Sequence, residues 1–311
     1  MSISTSHLRI TVPVKILPAM LHASDVPEAD YLAWASGTTY VLGDRVIHQH
    51  AIYESAQAAN TGNNPATAGA AWWLKVSATN RWKLFDLEQV TTTQQATAMS
   101  YQLKPGVSIN SVHVLGLHDV DSVQLRVYDE GDVLQFDSGL NAAGMLPDQP
   151  DWWAYCFGPW VVSDQQHYRG LPYLINPRIQ VDFAGGADMG VQVLMLGNDH
   201  TFGQQEGAGV LSGVRVRFER PTDFRSNDFD IPTMRTGALV TTVLFNMRLL
   251  SQDVDTLVDF YRDHGADVCM FTVSDRWRTT QVLGRITSME PLINGPLFSE
   301  FAFEIRGVPQ Q

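Results

Sequence analysis

Apolar residues in this chain recur mostly at every second position, the period of a half-buried β-strand, and only once at helical spacing. Period-two runs cover 107 to 117, 120 to 128, 179 to 183 and 190 to 196, each bounded by Gly, Asp, Asn or Pro clusters. They predict a β-sandwich, jelly-roll-like, over residues 87 to 205. Between two of these runs, Asp129-Glu130-Gly131-Asp132 marks a hairpin, with Gly131 expected to supply the positive φ of the turn. Further strands are expected at 214 to 220, 238 to 248, 267 to 273, 280 to 289 and 297 to 306. The last sets Ser299, Phe301, Phe303 and Ile305 on one face and Glu300, Ala302, Glu304 and Arg306 on the other. The helical exception is 251 to 262, with apolar residues at 254, 257, 258 and 261. Ser251 is the expected N-cap, Asp253 and Asp255 complement the dipole, and Gly265 follows Arg262 and His264 as the stop.

These elements divide the chain into a mainly β, multidomain protein. Residues 1 to 30 carry a β-branched run interrupted by Pro13, which suits either an extended arm that clasps a neighbour or a strand completing the chain's own sheet. Residues 31 to 86 are rich in turns, such as Leu42-Gly43-Asp44 and Asn60-Thr61-Gly62, between short strands. A unit of about 50 residues has little core, and an aromatic side chain buries on the order of 200 Å². Trp34, Tyr40, Tyr53 and one of Trp72 or Trp73 are therefore core candidates first; in a short strand, Trp72 and Trp73 point to opposite faces. A denser stretch at 151 to 176, with Trp152-Trp153 and Gly158-Pro159-Trp160, is expected to pack over the sandwich. The Gly-rich segment 203 to 213 reads as a linker into an α+β domain over 206 to 311.

Composition narrows the function. At 311 residues the chain exceeds what one core usually supports. No apolar run is long enough to span a bilayer, and the N-terminus shows no secretory signal pattern. With 33 acidic against 21 basic residues, a formal charge of −12 disfavours nucleic acid, whose binding depends on Lys and Arg neutralising phosphates. Charged residues make up only 17% of the chain, so weakly charged surface is left that partners can cover. Cys156 and Cys269 stand far apart in apolar settings, as small hydrophobes rather than metal ligands.

A resemblance adds a specific expectation. Trp34, Gly37-Thr38-Thr39-Tyr40, Gly43-Asp44-Arg45-Val46, Tyr53-Glu54-Ser55, Asn60-Thr61-Gly62, Pro65 and Trp72-Trp73 occur in the order seen in chitin-binding type 3 carbohydrate-binding modules, which they resemble. The continuation Thr79-Asn80-Arg81-Trp82-Lys83-Leu84-Phe85-Asp86 is similar to a segment that follows such modules in bacteriophage tail proteins. Looser similarity extends to Gly170-Leu171-Pro172-Tyr173, Leu196-Gly197, Thr201-Phe202-Gly203 and 299 to 307. The resemblance implies a virion tail-tip or baseplate component, made in the bacterial cytoplasm, with a tail-tube-like C-terminal domain. Its implied partners are copies of itself, other tail proteins and, through the module, host cell-surface polysaccharide. The alternative role is host-glycan recognition; a polysaccharide-degrading enzyme ranks behind both.

Side-chain chemistry supplies the candidate residues. A sugar's C–H face packs on Trp or Tyr while fixed polar groups take its hydroxyls, so Asp44, Tyr53, Glu54, Asn60, Trp72 and Trp73 form the candidate glycan set. Arg81, Trp82, Phe85 and Asp86 are expected at an interdomain joint, Trp82 and Phe85 buried and Arg81 paired with Asp86. His48 and His50 form an H-x-H on an expected strand, where they share one face, without further ligands at metal-site spacing. No nucleophile elbow, phosphate loop, dinucleotide fingerprint or selected carboxylate pair is present, so neither a catalytic residue nor a cofactor is expected.

Overall fold

The computed structural model describes residues 7–143, 145–147, 160–162, 164–226, 232–275, 277–293 and 295–310. Trp152, Trp153 and Cys156 of the expected excursion lie outside them. The protein is mainly β, with 52% strand and 9% helix, as the alternating patterns predict. The strands used below are β1 (Leu8–Pro13), β2 (Arg45–His48), β3 (Ala51–Ser55), β4 (Trp73–Ala78), β5 (Ala98–Leu103), β6 (Ser111–Tyr128), β7 (Gln165–Arg169), β8 (Arg178–Phe202), β9 (Arg215–Glu219), β10 (Thr222–Ser226), β11 (Pro232–Thr236), β12 (Val240–Leu250), β13 (Cys269–Thr272), β14 (Gln281–Leu292) and β15 (Phe298–Gly307). Helix α1 spans Val254–His264.

The region 87 to 205, expected as a sandwich and called so below, is built around the antiparallel pair β6–β8, flanked by β5 and β7 within one continuous sheet. Sequence patterns predict four strands here, but β6 runs unbroken for 18 residues and β8 for 25. The breaks in period are register shifts at His118/Val120 and Val120/Ser122, not chain reversals. At that point Gly185 lies so close to β6 that a Cβ would sit 2.1 Å from the Asp119 carbonyl, so the bend depends on a residue without a side chain. In the following turn the positive φ falls on Asp132 (60°) rather than on Gly131, and Asp129 caps the loop by accepting from the Gly131 and Val133 N–H groups.

The N-terminal run belongs to the chain's own sheet. β1 pairs with β8 on one side (Leu8↔Phe202 to Pro13↔Gly197) and with β13 on the other (Arg9↔Thr272, Ile10↔Phe271, Thr11↔Met270). It thereby stitches the sandwich and the C-terminal domain into one 15-stranded sheet among the described residues. Pro13 sits at its last position, where the missing N–H costs no interior ladder bond. Leu8 and Ile10 are completely buried among Phe271, Phe301 and Ile305.

In the C-terminal domain β15 alternates as predicted, with Ser299, Phe301, Phe303 and Ile305 inward. Helix α1 lays Val254, Leu257, Val258 and Tyr261 on this core. Ser251 does not cap it. Its hydroxyl donates instead to the Gly295 carbonyl at 2.7 Å and meets Ser299 Oγ at 3.0 Å, because a 3-10 turn at Ser251–Asp253 moves the helix start three residues on. The expected linker is folded in: Gly209–Val210 is a strand paired with β12, and a Cβ on Gly203 would meet Gly209 Cα at 2.8 Å. β9 and β12 are followed by the ribbon β10–β11, which among the described residues pairs only with itself.

Candidate functional site

The glycan candidates fall on the three-stranded unit β2–β3–β4, and folding removes two of them. Trp73 is 2% exposed, edge-on to Tyr40 at 5.2 Å beside Val46, and its indole N–H donates to the Asn63 carbonyl at 2.8 Å. Asn60 is fully buried: its amide donates to Ser55 Oγ (3.0 Å) and the Trp72 carbonyl (3.2 Å), and its Oδ1 accepts from Asn63 (2.8 Å). Both side chains hold the 60-to-73 loop together and cannot reach a sugar. Trp72, half-buried, packs on the same core, so of the two tryptophans one is internal and the other at the margin. Asp44 accepts the Val41 N–H at 2.8 Å, which fixes its turn, and Glu54 pairs with Arg45 at 2.8 Å. Tyr53 is half-buried, 6.5 Å from the His48 ring. On the opposite face, Leu74 and Val76 stand exposed beside the Arg45–Glu54 pair.

The H-x-H pair is split. β2 ends at His48, and Gln49 (φ 48°) and His50 (φ 63°) form the turn into β3, a two-residue hairpin loop with both φ positive. His48 turns its ring to Trp34, 5.5 Å away, whereas His50 hydrogen-bonds Glu28 at 2.9 Å and lies 4.7 Å from the Trp82 ring. Sharing a strand face required an extended His50, which the turn forbids. Among the described residues no group of His, Cys, Asp and Glu is arranged to hold a metal ion. Burial pushes the Cys269 thiol up to about 12, as befits an inert core residue.

Residues 79 to 86 are a packing joint between this unit and the sandwich. Trp82 is buried between His50 and Phe85, and Phe85 stands edge-on to Tyr101 of β5 at 5.6 Å. Leu84 and Val26, both fully buried, enter the sandwich core. Arg81 and Asp86 are not partners. Arg81 donates to the Val26 carbonyl at 2.6 Å and faces Glu28 at 3.8 Å; Asp86 accepts from the Glu88 N–H and the Thr91 hydroxyl, both at 2.9 Å. Local turn geometry claims Asp86, and burial raises its carboxyl to about 6.

A second polar constellation lies where β1, the sandwich and the C-terminal domain meet, and nothing in the sequence pattern announces it. His113 is fully buried on β6, with Nε2 2.8 Å from Thr11 Oγ1 and Nδ1 2.8 Å from Nδ1 of His167 on β7. The Thr11 hydroxyl donates to Asp199. Since a hydroxyl has one proton, Thr11 accepts from His113 Nε2–H, which leaves His113 Nδ1 bare to accept from His167 Nδ1–H. The order of donors is therefore His167, His113, Thr11, Asp199, with both imidazoles neutral. Arg169, next but one to His167, reaches across to Asp275 (3.0 Å) and Thr272 (2.6 Å), and Arg9 of β1 also meets Asp275 at 3.0 Å. Desolvation lowers both histidines, His167 well below its ordinary value. Asp199 is pulled down to about 2: burial acts to raise it, but the Thr11 hydroxyl bonded to it and the His113 ring facing it at 3.9 Å outweigh that. Met195 and Met270 stand opposite His113 and Thr11 in the strand pairing, and the chain of bonds ties β1, β6, β7 and β8 together as a lock between segments.

Comparison with known protein families, curated proteins and solved structures finds no match for this chain.

Proposed function

We propose that this protein is a non-enzymatic structural subunit of a bacteriophage tail tip or baseplate, which assembles with copies of itself and docks other tail proteins. The motif order from Trp34 through Asp86 supports the particle. The exposed ribbon carries the role: every β9 residue except Val216 is exposed, Phe218 by 56%, and the ribbon runs on into β10–β11, which has no third strand among the described residues. An isolated two-stranded ribbon is marginal in water, and its free edges are templates for pairing with another chain. A subunit interface covers both.

The module from 31 to 86 then serves as a decorating or docking unit. A host-polysaccharide role would rest on Tyr53, Asp44, Glu54 and Trp72, since Asn60 and Trp73 are spent on its core. Electron microscopy of tail particles from the producing phage, with this chain tagged, tests the reading. The tag is expected at symmetric positions on the tail tip; a chain found only free, as a monomer outside particles, would sink the proposal.

A further inference from the structure

Strand β9 is an edge of the 15-stranded sheet. It pairs with β12 from Arg215↔Leu244 to Glu219↔Val240, and among the described residues no strand lies on its other side. Such an edge presents alternate N–H and C=O groups that a further strand can take up. One face of β9 continues the core face of the sheet: Val216 packs on the core opposite Val243, but Phe218, opposite buried Thr241, is left 56% exposed. The other face carries Arg215, Arg217 and Glu219, all exposed, with Arg217 held only loosely by Glu219 at 3.5 Å.

This order of side chains complements itself when the strand is inverted. Two copies of one strand, paired antiparallel about a two-fold axis, have one residue facing itself, and residues equally far on either side of it face each other. With Phe218 on the axis, Arg217 of each copy faces Glu219 of the other, and the two exposed rings cover each other. Centring on Val216 sets Arg215 against Arg217; centring on Arg215, Arg217 or Glu219 sets that charge against itself. Like charges directly opposite destabilise a strand pair and opposite charges stabilise it, so the Phe218 register is the one β9 favours. In it Val216 meets Arg220, and Pro221 falls at the end of the pairing, where its missing N–H costs no interior bond. Charged edges block pairing when like meets like; here inversion of the same strand brings unlike charges together.

We propose that two copies of this chain join edge to edge through β9, antiparallel with Phe218 on the two-fold axis, so that their sheets run on as one. The occupant is a second copy because β9 itself, inverted, supplies the ring for Phe218 and the countercharges for Arg217 and Glu219. Such a contact is isologous and closes at two copies. The inference rests on the assembly reading above and assigns it a surface and a register.

Charge reversal tests it. Arg217→Glu, Glu219→Arg and the double swap are made in the full chain at these exposed positions, checked for wild-type circular dichroism, and weighed by light scattering alone and mixed. Wild type is expected to dimerise. Each single variant sets like charges opposite each other at both ends of the contact and is expected to dimerise about 10- to 30-fold more weakly. Mixed one to one, the two single variants are expected to regain near wild-type affinity as a heterodimer, because positions 217 and 219 are then both acidic in one copy and both basic in the other. The double swap is expected to regain it as a homodimer. A wild-type chain that stays monomeric at every concentration, folded single variants that dimerise like wild type, or a mixture no tighter than its components would each overturn the proposal. Dimers that never enter tail particles would instead sink the tail reading alone, and single variants incorporated normally into tails would sink the β9 contact alone.

Discussion

Replacing His167 by glutamine tests whether the buried histidine pair is a neutral lock. In His167→Gln the side-chain amide would still donate an N–H toward His113 Nδ1 but does not titrate. In the wild type, burial lowers the folded-state value of His167 below the ordinary 6.5. The sign follows from proton counting: below about pH 6.5 the unfolded chain binds a proton that the folded chain refuses, so stability is complete above that value and is lost as pH falls. For one such histidine the loss approaches about 1.4 kcal/mol per pH unit and reaches about 2 kcal/mol at roughly pH 5. Near pH 7.5, where both forms are neutral, the variant is expected to be less stable by about 1 kcal/mol for a poorer hydrogen bond. The two stability curves should therefore cross at about pH 6, the variant being the more stable below it. Urea unfolding followed by tryptophan fluorescence over that range measures both curves, and hydrogen exchange at β1 reports whether the seam opens in the same transition. Other titrating groups, including Asp86, cancel in the difference between the two proteins. A difference curve that is flat with pH would refute the neutral-lock assignment.

Asp86 should show the opposite sign. Its carboxyl is raised to about 6, so the stability it contributes is full below about pH 4 and lost as pH rises through 6. Because the group keeps some solvent contact, Asp86→Asn should gain only roughly 1–2 kcal/mol on wild type between those limits, measured by the same unfolding series. Trp73→Ala should cost about 3–5 kcal/mol and unfold residues 31 to 86 locally, seen as lost near-ultraviolet circular dichroism; a folded module in this variant would contradict the core assignment. Ile10→Ala, which empties a fully buried site on the stitching strand, should destabilise by about 2–5 kcal/mol and expose the sandwich and the C-terminal domain together to limited proteolysis. Cleavage confined to one of them would show that β1 does not couple the two.

Much of the local structure was legible because it depends on neighbours in sequence. The 3.6-residue stripe of α1 and the alternation of β15 follow from side-chain direction alone, and both appear where expected, apart from the three-residue delay of the helix start. The aromatic crowding at 31 to 86 was likewise enough to say that most of its rings are structural. Local signals misled where a long-range contact outbid them. The breaks between 117 and 120 and between 183 and 190 look like turns, but β6 and β8 hold each other straight through them. Ser251 was drawn from its capping role by the Gly295 carbonyl, and Asp86 from Arg81 by its own turn.

By itself the sequence determined a β-rich chain, a helix near residue 257, an aromatic module that leads into a packing joint, and a shortage of charge. Only the tertiary structure decided which strands meet. β1 pairs with residues some 190 positions away, and His113 finds His167 across 54 positions. The physical reason is that side-chain period is a property of a few adjacent residues, whereas strand partners, buried hydrogen-bond chains and surfaces are chosen by the free energy of the whole packed chain.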